Sequence, residues 1–389
     1  MARLGDLCEI LNGYAFKSQN YTEGGVRIIR ISNVQKGYIE DNTPVFYPKD
    51  DINAKKYKLY EGDLLLSLTG NVGRVGVLEK KFLPAALNQR VACLRIKDPQ
   101  ILDERYLFNC LNSDLFEEKC ILSSKGVAQK NMSTEWLKNY DIPLPSLAIQ
   151  RKIAMELNKV SALVATYHRQ LDLCEDMVKS RFIEMFGDPV KNTMRWEVVT
   201  FSEIFRMIKS GLSRKLSDDD IGLPMIRSKN IVKGVLDPSD LKYWHINDPQ
   251  GADTNEYILD DGDILVNFIN SSSQIGKGCI FHDIGRPCIY TTNCFRIKLK
   301  SDCNEIYFNS YMMTEGYYRQ IQSIIQPAVN QASFTTKNYL QLKIPLPPLS
   351  LQNQFADFVA QVDKSKLAIQ KSLEQLETLK KSLMQEYFG

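Results

Sequence analysis

Ile142-Pro143-Leu144-Pro145 returns 202 residues later as Ile344-Pro345-Leu346-Pro347, and the stretch after each copy decides the architecture. Gln150 and Gln352 stand at that same offset. A run free of glycine and proline then closes on Phe186-Gly187 in one case and Phe388-Gly389 in the other. Upstream, Gly62-Asp63 before Leu64-Leu65-Leu66 matches Gly262-Asp263 before Ile264-Leu265-Val266 at offset 200, and Arg30 and Asn33 match Arg227 and Asn230 at offset 197. Five ordered matches with a smoothly rising offset mark a duplicated chain with short insertions in its second copy. Two such units are expected to pack about a pseudo-two-fold axis, as two subunits of a dimer would.

The runs after the Ile-Pro-Leu-Pro copies read as long helices. In the first, Ile153, Leu157, Val160, Val164, Tyr167, Leu171, Cys174 and Val178 alternate spacings of four and three, the seam of a helix that pairs with another. Phe355, Val359, Val362, Ile369, Leu373 and Leu376 repeat the pattern in the second, with Lys366 the one break. Pro145 and Pro347 punctuate the starts, because proline fits a first helical turn and not an interior. Two separate amphipathic helices, each lying on its own domain, are the alternative to an antiparallel pair.

The rest of each unit reads as mixed α/β. Val26 to Ile31 alternates with period two, Glu61-Gly62-Asp63 followed by Leu64 to Leu68 is a turn and a buried strand, Val91 to Ile96 is another strand, and Tyr106 to Leu111 is helical. The division is residues 1–146 and 190–348 as mixed domains, with 147–189 and 349–389 as helical segments.

Composition excludes several classes. Apolar residues at 44% and charged residues at 24% are those of a chain with a core. No stretch approaches the roughly 18 uninterrupted apolar residues of a membrane span. The first ten residues carry Asp6 and Glu9 and no apolar signal region, and nine scattered cysteines without a Cys-x-x-Cys suit a reducing compartment. A cytoplasmic protein is expected.

Little in the sequence supports catalysis. His168, His245 and His282 lie outside metal-ligand spacing of one another, and there is no Gly-x4-Gly-Lys-Ser/Thr loop. Asp63 with Glu79-Lys80-Lys81 loosely matches a nuclease core, but no acid-x-Lys follows Asp263 in the second copy. A turn explains both aspartates better. Gly70-x-x-Gly73-Arg74-Val75-Gly76 and Gly276-Lys277-Gly278 each put a cation between glycines on what reads as a hairpin. That is either a plain tight turn or a loop set against phosphate oxygens.

Net charge of +3 says nothing about partners, and residues 1–146 hold 20 basic against 18 acidic side chains, so no basic patch stands out by composition. The arrangement says more. Arginine with asparagine or glutamine is the set that reads base edges bidentately. In the first copy Arg27, Arg30, Asn33, Arg74, Gln89, Arg90, Gln129 and Asn131 form that set with Lys130 beside them, and in the second Arg227, Asn230, Asn293, Asn330 and Gln331 do with Lys229 and Lys277, the lysines mostly holding phosphates. Polar loops on a soluble domain are the plain alternative.

Gly126-Val127-Ala128-Gln129-Lys130-Asn131-Met132, then Ile142-Pro143-Leu144-Pro145, Gln150, the heptad helix, Lys179-Ser180 and Phe186-Gly187, resembles one half of a type I restriction-modification specificity subunit. The second half shows Asn330-Gln331, Ile344-Pro345-Leu346-Pro347-Pro348, Gln352, Lys381-Ser382 and Phe388-Gly389. Two departures stand out: Gly126 has no counterpart near Gln326-Pro327-Ala328, and Lys366 interrupts the second seam.

The resemblance covers essentially the whole chain. It implies two target recognition domains on an antiparallel coiled-coil pair, binding a bipartite, asymmetric double-stranded DNA target. It implies a non-catalytic chain with no cofactor of its own. Two methyltransferase subunits and restriction motor-nuclease subunits would be the partners, carrying S-adenosylmethionine, ATP and Mg. The rival readings are a structural coiled-coil adaptor without a DNA role, and a methyltransferase or nuclease with an unrecognised site.

Overall fold

The computed structural model describes all residues except 125–130, 214, 246–252 and 328–330. Two compact units make up the chain, Met1–His168 with Gln370–Gly389, and Arg169–Ile369. The division falls inside both long helices, Leu147–Phe186 and Leu349–Phe388, so each unit holds part of each.

In the first unit, strands Cys8–Asn12, Val91–Ile96, Leu64–Ser67 and Val75–Val77 form an antiparallel sheet in that order. Strand side chains alternate faces, and the central strand uses both. Leu64 and Leu66 face a core shared with the helices Glu104–Leu111 and Asp114–Ser123 and the long-helix segments, whereas Leu65 faces a second core with Ile29, Leu87 and Cys93. That second core lies against another sheet, ordered Phe46–Tyr47, Val26–Ile29, Ala85–Leu87 and Lys58–Leu59, in which Val26–Ile29 and Ala85–Leu87 run parallel.

The second unit repeats the plan. Phe205–Ser210, Cys294–Leu299, Ile264–Asn267 and Gly278–Ile280 form the antiparallel sheet, and Lys242–His245, Gly222–Ile226 and Ile289–Tyr290 form the other. Ile264 and Val266 point to one core and Leu265 to the other.

The helix pair behind each sheet starts on side-chain caps, which satisfy the free N–H groups of a first turn. Asp103 accepts from the Arg105 and Tyr106 amides and Ser113 from the Phe116 amide; Asn304 and Thr314 do the same in the second unit.

Within each unit the long-helix segments run antiparallel. In the first, the Tyr387 hydroxyl donates to Glu156 at 2.7 Å and His168 faces Glu377 at 3.8 Å. In the second, Phe182 packs on Phe355 with ring centroids 5.6 Å apart, and Arg181 lies over the Phe358 ring. The seam positions Ile153, Leu157 and Val160 are buried and Val164 and Leu171 half-buried; Phe355, Val359, Val362 and Leu373 are buried, Ile369 and Leu376 half-buried. Lys366 keeps its stem in the stripe and carries its amine out to Asp363, 3.8 Å away. Gly187 ends the first helix at φ +77, donating its N–H to the Ile183 carbonyl, a left-handed cap that glycine adopts without strain.

Candidate nucleic-acid interface

Each unit carries, at one end of its antiparallel sheet, a rim built from three chain segments. In the first unit these are the hairpin between Leu64–Ser67 and Val75–Val77, the turn Asn88–Arg90, and the stretch at Asn131. Leu68 N–H donates to the Arg90 carbonyl at 3.0 Å, Met132 N–H to the Leu68 carbonyl at 2.9 Å, and Asn88 N–H to the Ile29 carbonyl at 3.2 Å. The second unit repeats the bonds: Phe268 to Asn293 at 3.0 Å, Phe334 to Phe268 at 3.2 Å, and Thr291 to Ile226 at 3.0 Å. Residues scattered over more than a hundred positions are thus held together by main chain.

The hairpin is seated on the second helix of the pair by glycine. Gly73, at φ +86, lies so close that a Cβ would stand 2.8 Å from Cys120 Cβ, and Gly276, at φ +80, would meet Ile321 at 2.8 Å. Ser67 locks the first hairpin from inside, accepting from the Arg74 N–H at 3.0 Å. Arg74 reaches the Gln35 amide oxygen at 2.7 Å.

Beyond this shared frame the two rims differ. The second unit's longer hairpin adds a strand, Ile269–Asn270, paired with Ala332–Ser333 and followed by exposed Ser271, Ser272, Ser273 and Gln274. Lys277 is exposed and donates to Gln274 at 2.9 Å.

The structure separates the expected residues into three groups. Gln89, Arg90 and Asn131 in the first unit and Gln331 in the second are exposed, and Asn293 is half-buried; their side chains have no partner among the described residues. Arg74, Lys277 and Lys229 are accessible but tethered, Lys229 to Asp240. Gln129, Lys130 and Asn330 lie outside the described residues.

The third group is bonded within the fold. Asn33 and Asn230 are buried, and each folds its own hairpin: the Asn33 amide donates to the Glu40 carbonyl and Asp41, and its oxygen accepts from Arg30 N–H at 2.7 Å. Asn230 donates to the Asp237 and Asp240 carbonyls and accepts from Arg227 N–H at 3.0 Å. The guanidinium groups of Arg30 and Arg227 turn back onto the Thr43 and Asp240 carbonyls, and Arg27 is taken up by the buried Asp41. Burial lowers the Arg227 pKa. These side chains shape the rim from beneath.

An Asn230→Ala variant should therefore lose about 1–3 kcal/mol of stability, the cost of unpaired buried backbone groups. Chemical denaturation checks this.

The repeat extends further than the arginine and asparagine. Arg30 to Gly37 and Arg227 to Gly234 both read Arg-x-x-Asn-x-x-Lys-Gly, and the Lys-Gly tip turns a short hairpin in each unit, with Gly37 at φ +94 and Gly234 at φ +82. Lys36 bonds Asp114 at 2.9 Å and Glu117 at 2.6 Å on the second helix. The offset of 197 carried this signal in the sequence.

Asp63 and Asp263 do more than turn the chain. Asp63 accepts from Tyr60 N–H and from Arg95 at 2.7 and 2.8 Å, and Asp263 from Asp260 N–H and from Arg296 at 2.5 Å. Both carboxylates are committed to the fold, while Glu79 and Lys81 pair with each other on the surface. Among the described residues no His, Cys, Asp and Glu group could hold a metal. Burial pushes the thiol of Cys294, under the second rim, up to about 11.

The family model for the type I restriction modification DNA specificity domain matches residues 1–173 and 194–380. The chain belongs to that family, and it is the specificity component of such systems, not the one that carries catalysis.

Among relatives, it is 32% identical over 194 residues to the putative MjaX specificity subunit of Methanocaldococcus jannaschii, covering 50% of this chain and 45% of that one. The EcoKI specificity subunit of Escherichia coli K12 is 20% identical over all of this chain and 88% of its own. The fold matches the S subunit crystal structure from M. genitalium with a TM-score of 0.58 at 15% identity, covering 100% of this chain and 95% of that one.

Proposed function

We propose that the chain reads a bipartite, asymmetric double-stranded DNA target, one half with each rim. One observation carries this: the same three segments meet in both units and leave there amide or guanidinium side chains with no partner among the described residues, Gln89, Arg90 and Asn131 in one, Asn293 and Gln331 in the other. Such groups form the paired hydrogen bonds that distinguish base edges, Arg to guanine and Asn or Gln to adenine. The unlike hairpin loops support two unlike half-sites.

Two methyltransferase subunits and motor-nuclease subunits are the proposed partners, bringing S-adenosylmethionine, ATP and Mg to a cytoplasmic complex. Exposed apolar residues along the long helices, among them Met155, Leu163, Leu173 and Met177, offer surface for such partners.

Sequencing modified adenines in DNA from cells that carry this chain with its methyltransferase tests the proposal. Two short half-sites around a fixed gap are expected; modification that ignores sequence would refute it, and so would modification by the isolated chain. Arg90→Ala and Gln89→Ala should each weaken binding by about 1–3 kcal/mol and relax positions in one half-site only. Competition binding with single-position target variants checks this.

A further inference from the structure

Gln150 and Gln352 are amides with no exposed surface, each in the first turn of a long helix. Burying an amide is unfavourable unless its hydrogen bonds are met, and both are met in the same way. Gln150 Oε1 accepts from Asp103 N–H at 2.9 Å, while its Nε2 donates to the Ile101 carbonyl at 2.9 Å and the Pro145 carbonyl at 2.8 Å. Gln352 Oε1 accepts from Asn304 N–H at 2.8 Å, and its Nε2 donates to the Asp302 carbonyl at 3.1 Å and the Pro347 carbonyl at 2.8 Å. Neither touches a rim. Each ties the chain entering the long helix to the loop that ends in the capping residue of the helix pair.

That capping residue leads to the rim. Asp103 starts Glu104–Leu111, which continues into Asp114–Ser123, whose Cys120 receives the rim hairpin at Gly73. Asn304 leads through Glu305–Met312 and Glu315–Ile324 to Ile321 and Gly276. In both units one glutamine is a polar joint between the long helix and the elements that seat the rim.

We propose that Gln150 and Gln352 are positioning residues that hold each rim at a fixed angle on its long helix, and thereby set which gap between the half-sites is accepted. This rests on the bipartite reading above. One extra base pair rotates the second half-site by roughly 35° about the DNA axis, given about 10–10.5 base pairs per turn. A rim free to swing by part of that angle would accept neighbouring gaps without changing the bases it reads.

The test uses the full chain assembled with its methyltransferase subunits. Substrates keep both half-sites and vary the gap by one base pair either way. In Gln150→Met and Gln352→Met, which keep side-chain length and lose the three bonds, the preference for the native gap over its neighbours should fall by about ten-fold, the scale of one wrong position in a site. The half-site bases should stay the same. Leu65→Ala, a truncation between the two sheets of the first unit, controls for destabilisation and should keep the wild-type preference despite a lower Tm.

Unchanged gap preference in both glutamine variants overturns the inference, as does an equal loss in Leu65→Ala. Should the variants fail to fold, hydrogen exchange in the wild-type complex decides: the Asp103 and Asn304 amides must be among the slowly exchanging ones, and fast exchange overturns the joint. A wild-type complex indifferent to the gap would refute the bipartite reading itself, a result distinct from the others.

Discussion

Arg296→Ala should destabilise the second unit by about 3–5 kcal/mol, the cost of leaving one partner of a buried ion pair alone. Asp263 is 3% exposed and Arg296 6% at the side chain, and the guanidinium Nε lies 2.5 Å from Asp263 Oδ2. With Arg296 gone, the carboxylate keeps the Asp260 N–H and Lys298 at 3.6 Å, too little to replace the arginine. Denaturant unfolding followed in both units measures the loss, and the Arg296→Leu, Asp263→Asn double variant should recover much of it.

The dependence on pH has a definite sign. Burial raises the Asp263 carboxyl above its ordinary range, against the lowering pull of the Asp260 N–H, Arg296 and Lys298. Removing Arg296 raises it further. Between the unfolded carboxyl value, about 3.9, and the raised folded one, the native state binds more protons, so stability falls as pH rises through that window. The variant's deficit should be complete at neutral pH and shrink on acidification. A deficit independent of pH would show that lost packing, not the stranded charge, is responsible.

The equivalent change in the first unit should be milder. In sheet register Cys93 lies opposite Leu65 where Arg296 lies opposite Leu265. Asp63 is served instead by Arg95, whose side chain is 29% exposed, so water can reach the site when the arginine is removed.

Phe388→Ala should cost the first unit about 3–5 kcal/mol, the usual range for truncating a buried aromatic. Phe388 is the last residue of its helix, yet it is buried in the core with Leu107, Leu157 and Tyr106, whose ring centroid is 5.4 Å away. Phe186 holds the matching place in the second unit, 4.8 Å from Tyr307 and 5.4 Å from Phe355. Hydrogen exchange should show faster opening across the first unit and unchanged protection in the second. Leu379→Ala, on an exposed position of the same helix, should stay within about 0.5 kcal/mol of the parent. Equal losses from the two variants would mean that the terminus does not close the core.

The duplication and the long helices were legible because both are periodic properties of the chain. Ile153, Leu157, Val160, Phe355, Val359 and Val362 are buried as their spacing requires, and the helices begin directly after the Ile-Pro-Leu-Pro copies. Asp63 and Asp263 were legible only as turn residues, since the arginines that claim them sit on a strand more than thirty positions away.

Sequence by itself determined the repeat, the helix seams and the segments from which a reading surface could be drawn, because local periodicity and self-similarity need no knowledge of neighbours. Only the tertiary structure decided which polar side chains face outward. Arg30, Asn33, Gln89 and Arg90 are the same kinds of residue in the same kinds of turn. Yet Asn33 is drawn inward onto the Glu40 carbonyl and Arg30 turns back onto the Thr43 carbonyl, while Gln89 and Arg90 meet no such acceptor among the described residues and stay at the surface. A buried side-chain amide such as that of Asn33 must find its partners, and which side chain is drawn in depends on how the hairpin closes in space.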